Sequence, residues 1–188
     1  MRIRTPVGDE VLEKLRAGSL VYLTGLLFTA RDRTYQRILD TLRRRGRLPV
    51  NLNGHAIYHC GPLVRKVAGR YEVVSCGPTT SSRLDHLHAE LLRRTGARLL
   101  IGKGEIGSEA AREISSLGSA YLCFTGGAGA LAASFVKGVK GVYWEELGPE
   151  AMWILEVENF GPLVVMVDSK GRVFGQKTFK PQGKEIDG

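Results

Sequence analysis

From residue 83 to residue 133 the chain alternates between helical and strand patterning, and this alternation constrains the fold more than any other feature. Leu84, Leu87, Leu91 and Leu92 recur at the spacing of one helix face, which predicts an amphipathic helix over 83–95. ARLLIG (97–102) reads as a buried strand, 108–117 as a second helix and SAYLCF (119–124) as another strand. Glycines 126, 127 and 129 then open an Ala-rich helix. Strands alternating with helices imply parallel βαβ units, because parallel neighbours need a crossover connection.

The flanks are richer in strands. SLVYLT (19–24) reads as a buried strand, followed by a helix over 32–46 with Tyr35, Ile38, Leu39 and Leu42 on one face. Short strands follow at 55–59 and 71–75, and GVYW (141–144) makes a later one. ILEVENF and LVVMVDSKGRVFG read as a hairpin, with Asp168-Ser169-Lys170-Gly171 as its turn. The expected class is α/β with a mixed sheet, or an α/β unit carrying an added β layer. With 188 residues, one domain over 1–180 and a frayed tail over 181–188 are expected.

Charge and cysteine usage bound the function. The chain carries 27 Lys+Arg against 19 Asp+Glu, a formal charge of +8. Such an excess suits nucleic acid, an acidic partner subunit or anionic small substrates. Part of it is a plain run, Arg43, Arg44, Arg45 and Arg47, closing a helix whose dipole favours cations there. The aromatic interleaving of an RNA-binding sheet is missing. No apolar run approaches the roughly 20 residues of a membrane helix. MRIRTPVGDEVLEKL lacks the apolar stretch of a secretory signal, so no membrane association and a cytoplasmic location are expected. Cys60, Cys76 and Cys123 form no CxxC, and an iron–sulfur cluster usually takes four thiolates. Buried, reduced thiols and no metal site in this chain are the expectation. His55, His59, His86 and His88 show no metal spacing, and His59 and His88 read as packed or surface residues.

Four segments carry candidate chemistry. CGPTTSSRLD (76–85) ends a strand in a tight turn, then sets two threonines, two serines and Arg83 at a helix start. Free backbone N–H groups, hydroxyls and a guanidinium there suit a carboxylate, although a simple N-cap uses the same residues. IGKGEIG (101–107) puts Lys103 between glycines at a strand end, where ligands bind in open α/β sheets. TARDRTYQR (29–37) puts Arg31 and Asp32 where a strand loop enters a helix; Arg31 can face the same rim, or Asp32 can cap the helix. FTGGAGALAA (124–133) lacks the GxGxxG spacing and an acidic ribose reader, and reads as close packing through small residues.

Together with IYHCGP (57–62) and WEELGPEAMW (144–153), these segments resemble, in order over roughly residues 5–175, the β subunit or C-terminal domain of class I iron–sulfur fumarate hydratases. The L(+)-tartrate dehydratase β subunit is similar. The resemblance implies a swivelling β/β/α domain akin to the mobile last domain of aconitase. It implies reversible hydration of fumarate to (S)-malate, or dehydration of a related hydroxy diacid. It implies a [4Fe–4S] cluster held by a separate α subunit, none bound by this chain alone, and an α2β2 assembly. Position by position it makes Thr79 the proton abstractor, and Arg31, Arg83 and Lys103 the substrate-carboxylate contacts. The family's usual His in RDxAHxR is Tyr35 here, which leaves its packing role and a substrate contact both open. A reading of another class is a non-catalytic anion- or nucleic-acid-binding module.

Overall fold

The computed structural model describes residues 1–175, so the segment 181–188 lies outside the described residues. Its strands are β1 (Arg2–Arg4), β2 (Leu20–Thr29), β3 (Ala56–Tyr58), β4 (Leu63–Val67), β5 (Arg70–Ser75), β6 (Leu99–Gly102), β7 (Ala120–Cys123), β8 (Val136–Tyr143) and β9 (Met152–Val167). Its helices are α1 (Asp9–Leu12), α2 (Asp32–Arg45), α3 (Asp85–Thr95), α4 (Ser108–Ser116) and α5 (Gly129–Ser134), with 3-10 turns at Ser81–Leu84 and Glu145–Glu150. No helix among the described residues is long and apolar enough to cross a membrane.

Seven strands form one mixed sheet in the order β1-β2-β3-β6-β7-β9-β8. β1, β3, β6 and β7 run parallel to β2 through successive pairings, as the βαβ reading requires. β9 runs antiparallel to β2, β7 and β8. Because β9 pairs with both β7 and β2, the path β2–β3–β6–β7–β9 returns to its start and the sheet closes on itself. Alternate side chains sort its two faces. Tyr58, Leu99, Ile101, Leu122, Leu155 and Leu163 belong to one core. Ile57, Leu100 and Tyr121 face the other way, into a second core built with Ile38 and Leu39 of α2, Leu91 and Leu92 of α3 and Ile114 of α4.

Four local expectations change. β2 continues past residue 24 to Thr29, because Gly25 is a bulge and not a stop. It has φ +117°, and a Cβ there would lie 2.6 Å from Thr5 Oγ1, so only glycine lets β2 pass the segment after β1. ILEVENF and LVVMV run on as the single strand β9. Its two halves find different partners, β8 and β2 before Gly161 and β2 and β7 after it, and these pairings keep them in one strand. The turn at 168–171 does form, and folds Val173 back onto Val167. β4, paired with β5 as a two-stranded hairpin, and the first half of β8 were not anticipated.

Candidate active site

The carboxyl ends of β2, β3, β6 and β7 share one edge of the sheet, since these strands are parallel neighbours. Arg31 follows β2 and Lys103 follows β6. The segment carrying Thr79 is stitched between the ends of β3 and β6. Thr79 N donates to the His59 carbonyl at 2.7 Å, Lys103 N to the Thr79 carbonyl at 3.1 Å and Ser81 N to the Lys103 carbonyl at 3.2 Å. Thr79 and Lys103 are therefore adjacent by backbone pairing. The Thr79 hydroxyl is half-buried and donates to the same His59 carbonyl at 3.1 Å.

The three cations have different surroundings. Arg31 is the N-cap residue of α2, with extended backbone and no side-chain cap. Its side chain crosses Gly61, where a Cβ would lie 3.0 Å from Arg31 Cδ, and its Nε is buried without a hydrogen-bond partner. Asp32 does not cap α2. It is the first helical residue, and its carboxylate accepts from Arg83 Nη2 at 3.0 Å. That pair is half exposed, so it orients Arg83 more than it stabilises the fold. Lys103 is half-buried, with its stem over Gly126, whose Cβ would lie 3.7 Å from Lys103 Cδ.

Beneath this edge lies a buried polar cluster that the sequence did not reveal. Tyr35 Oη is 2.7 Å from His59 Nε2 and 3.3 Å from His88 Nδ1. His59 Nδ1 is 2.8 Å from Ser81 Oγ, and Tyr121 Oη lies 3.0 Å from that same oxygen. Tyr35 is fully buried. It packs under the edge and bonds to His59, which decides the question its position raised. Burial raises both tyrosine hydroxyls and lowers both imidazoles, so the cluster is neutral near pH 7. His59 directly follows the three-residue apolar strand β3, and that position alone does not mark it for burial in a cluster.

None of the three cysteines is a ready thiolate. Burial pushes the Cys60 thiol well up, Cys76 up to about 12 and half-buried Cys123 up as well, whereas a ligand needs an easily formed thiolate. No three His, Cys, Asp or Glu side chains converge as metal ligands among the described residues. This chain's donor set does not fit an iron–sulfur cluster. The 124–133 loop closes tightly on its neighbour, with Gly129 against Ser75 and Gly77 and the Cys76 N–H donating to the Gly129 carbonyl at 3.1 Å. A groove of about 360 Å³ lies between α2 and α3, and of the four predicted site residues only Arg83 lines it.

Known proteins with this sequence pattern share nearly the whole chain. It is 39% identical over 170 residues to the L(+)-tartrate dehydratase subunit beta of Escherichia coli strain K12, covering 90% of this chain and 83% of that protein. A putative L(+)-tartrate dehydratase subunit beta of Methanocaldococcus jannaschii is 43% identical over 162 residues, covering 85% and 83%. A putative fumarate hydratase class I of Geobacillus stearothermophilus is 36% identical over 171 residues, covering 90% of this chain but 32% of that longer protein. The family described as Fumarase C-terminus matches residues 1–178. The chain belongs to the Fumarase C-terminus family.

Proposed function

We propose that this chain is the β subunit of a two-chain hydro-lyase that interconverts fumarate and (S)-malate. The observation that carries the reading is the pairing of Thr79 with Lys103 between the ends of β3 and β6, next to the end of β2 that delivers Arg31, with Arg83 held to Asp32 just after Arg31. A four-carbon dicarboxylate presents two anionic groups, and two arginines suit bidentate carboxylate recognition while Lys103 adds a point charge. Removing a proton beside a carboxylate builds enediolate-like charge, which fixed cations stabilise. The reading makes Thr79 the proton abstractor, and its pairing with Lys103 supports that assignment. Its hydroxyl donates to a backbone carbonyl, which favours its protonated form. The reading therefore assigns its activation to a group of the partner chain. The cluster implied by the resemblance is likewise assigned to that α subunit, and the αβ pair to an α2β2 assembly.

L(+)-tartrate is the second substrate reading, favoured by relatives named as tartrate dehydratase β subunits that match along 83% of their length. The reading of a nucleic-acid module finds less support. Arg37, Arg43, Arg65, Arg98, Lys137 and Lys140 each pair with a carboxylate, which makes a mixed surface and not a basic stripe. The test is anaerobic co-assembly with an α-type subunit, followed by turnover of fumarate and of L(+)-tartrate. Arg83→Ala is expected to lower kcat/KM about 100-fold or more, the scale of one lost charged contact to the transition state. An equally active variant complex, or full turnover by this chain alone, refutes the proposal.

A further inference from the structure

The buried cluster under the edge is a directed chain, because each hydroxyl has a single proton to give. Tyr121 Oη lies 2.8 Å from the Gly104 carbonyl, which only accepts, so the Tyr121 proton goes there. At its 3.0 Å contact with Tyr121, Ser81 Oγ must then be the donor. Its proton placed, Ser81 accepts at 2.8 Å from His59 Nδ1, so Nδ1 carries a proton. Burial keeps His59 neutral, with the nearby His88 adding to the effect. Its Nε2 is therefore bare and accepts from Tyr35 Oη at 2.7 Å. The reverse order leaves two oxygens 2.8 Å apart at Tyr121 and Gly104 with no proton between them. The direction is Tyr35 to His59 to Ser81 to Tyr121 to Gly104.

Each link is also tied to the edge above it. The Tyr35 N–H donates to the Arg31 carbonyl at 2.8 Å, which closes the first turn of α2. The His59 carbonyl accepts both the N–H and the hydroxyl of Thr79. Ser81 lies midway between Thr79 and Arg83, and its N–H holds the Lys103 carbonyl. Gly104, the final acceptor, follows Lys103 directly. Gly102 makes room for this arrangement, since a Cβ there would collide with Ser81 Oγ and come 2.8 Å from His59 Nδ1.

We infer that Tyr35, His59, Ser81 and Tyr121 are positioning residues that fix Arg31, Thr79, Arg83 and Lys103 relative to one another, with His59 locked in its Nδ1–H tautomer. This rests on the hydro-lyase reading for its kinetic consequence and on the structure alone for its tautomer. The four residues act through the backbone and side chains they hold, so their loss misplaces reacting groups without deleting a charge. Misplacement of that kind lowers kcat by about 10- to 100-fold and moves KM less.

The experiment pairs ¹⁵N NMR of the histidine-labelled full chain with kinetics of the co-assembled complex, for wild type, Tyr35→Phe and Ser81→Ala. His59 is expected to show a protonated Nδ1 and a bare Nε2 at neutral pH. Tyr35→Phe, which keeps the ring, should shift the Nε2 resonance, and both variants should lose kcat with KM nearly kept. A protonated Nε2 with a bare Nδ1 overturns the proton order. Wild-type kcat in both variants of an active complex overturns the positioning role alone. A wild-type complex that turns over neither diacid refutes the proposed function and takes the positioning role with it.

Discussion

Acid should weaken this fold along a slope that two buried imidazoles dictate. His59 and His88 are fully buried and stacked, with centroids 5.1 Å apart and rings 9° from parallel. Burial lowers His88 from 6.5 to about 4. Burial first, and the neighbouring His88 second, hold His59 well below 6.5. In the unfolded chain both titrate near 6.5. Below that value the unfolded chain binds more protons than the folded one, so stability falls as the pH falls. Each imidazole contributes about 1.4 kcal/mol per pH unit inside its window. For His88 the window closes near pH 4, and the whole loss is about 3 kcal/mol. Asp85 faces His88 Nε2 at 3.6 Å, and burial raises its carboxyl from 3.8, so it gains protons in the folded state and opposes this loss. Urea unfolding of wild type and His88→Gln across the range from about pH 6 to about pH 4.5 isolates the effect. The variant's stability should fall less steeply by about 1.4 kcal/mol per pH unit, or about 2 kcal/mol over that range. Parallel slopes would mean that His88 is protonated in the native state, and the neutral buried cluster would be refuted.

Three further perturbations separate fold from site. Gly61→Ala puts a methyl 3.0 Å from both Arg31 Cδ and the Pro149 carbonyl. It should reduce turnover of the complex about 10-fold or more by displacing Arg31, and an unaffected kcat would remove Arg31 from the reacting edge. Asp168 is fully buried and accepts from the N–H groups of Ala17, Lys170 and Arg172 and from Arg172 Nε. Asp168→Asn turns an amide donor toward these donors and should cost about 3–5 kcal/mol in urea unfolding. Asp32→Asn breaks only the half-exposed pair with Arg83 and should change stability by at most about 1 kcal/mol. A clear rise in KM for the dicarboxylate is expected there, because Arg83 loses its orienting partner; an unchanged KM would make the pair a surface decoration.

The legible part of the fold was the part written in local periodicity. Leu84, Leu87, Leu91 and Leu92 mark α3, and the apolar runs at 99–102 and 120–123 mark the strands that flank α4. Strand succession placed Arg31 after β2 and Lys103 after β6, because parallel strands deliver their carboxyl ends to one side, whereas Arg83 follows β5 of the separate hairpin and reaches Asp32 only through the folded chain. What was hidden depends on contacts made far along the chain. Gly25 reads as a break until β1 and its following loop cross it. The outward residues of β4 and β5, Arg65, Lys66, Arg70 and Glu72, hide a hairpin because only Val64, Tyr71 and Val73 touch the core. The polar cluster joins Tyr35, His59, Ser81, His88 and Tyr121 from five separate segments, and no local pattern marks a histidine for burial beside a tyrosine.

The chemistry itself explains why such an edge suits half of a site. On the proposed function, three cations would bind a dicarboxylate and stabilise the charge that follows proton loss, but cations cannot accept the proton. Thr79 is held by a carbonyl that keeps its hydroxyl protonated. The Asp32 carboxylate, next to Arg31, is engaged by Arg83. The imidazoles below are buried, and the chain that runs through His59 ends by donating to the Gly104 carbonyl. On the proposed function, an edge that gathers cations and holds the Thr79 hydroxyl protonated leaves proton abstraction to a second surface, that of the partner chain. The neutral hydrogen-bonded chain beneath the edge then has a physical rationale. On that proposal it holds the four groups in register before a partner docks, so that closing the two surfaces would cost little further ordering of this one.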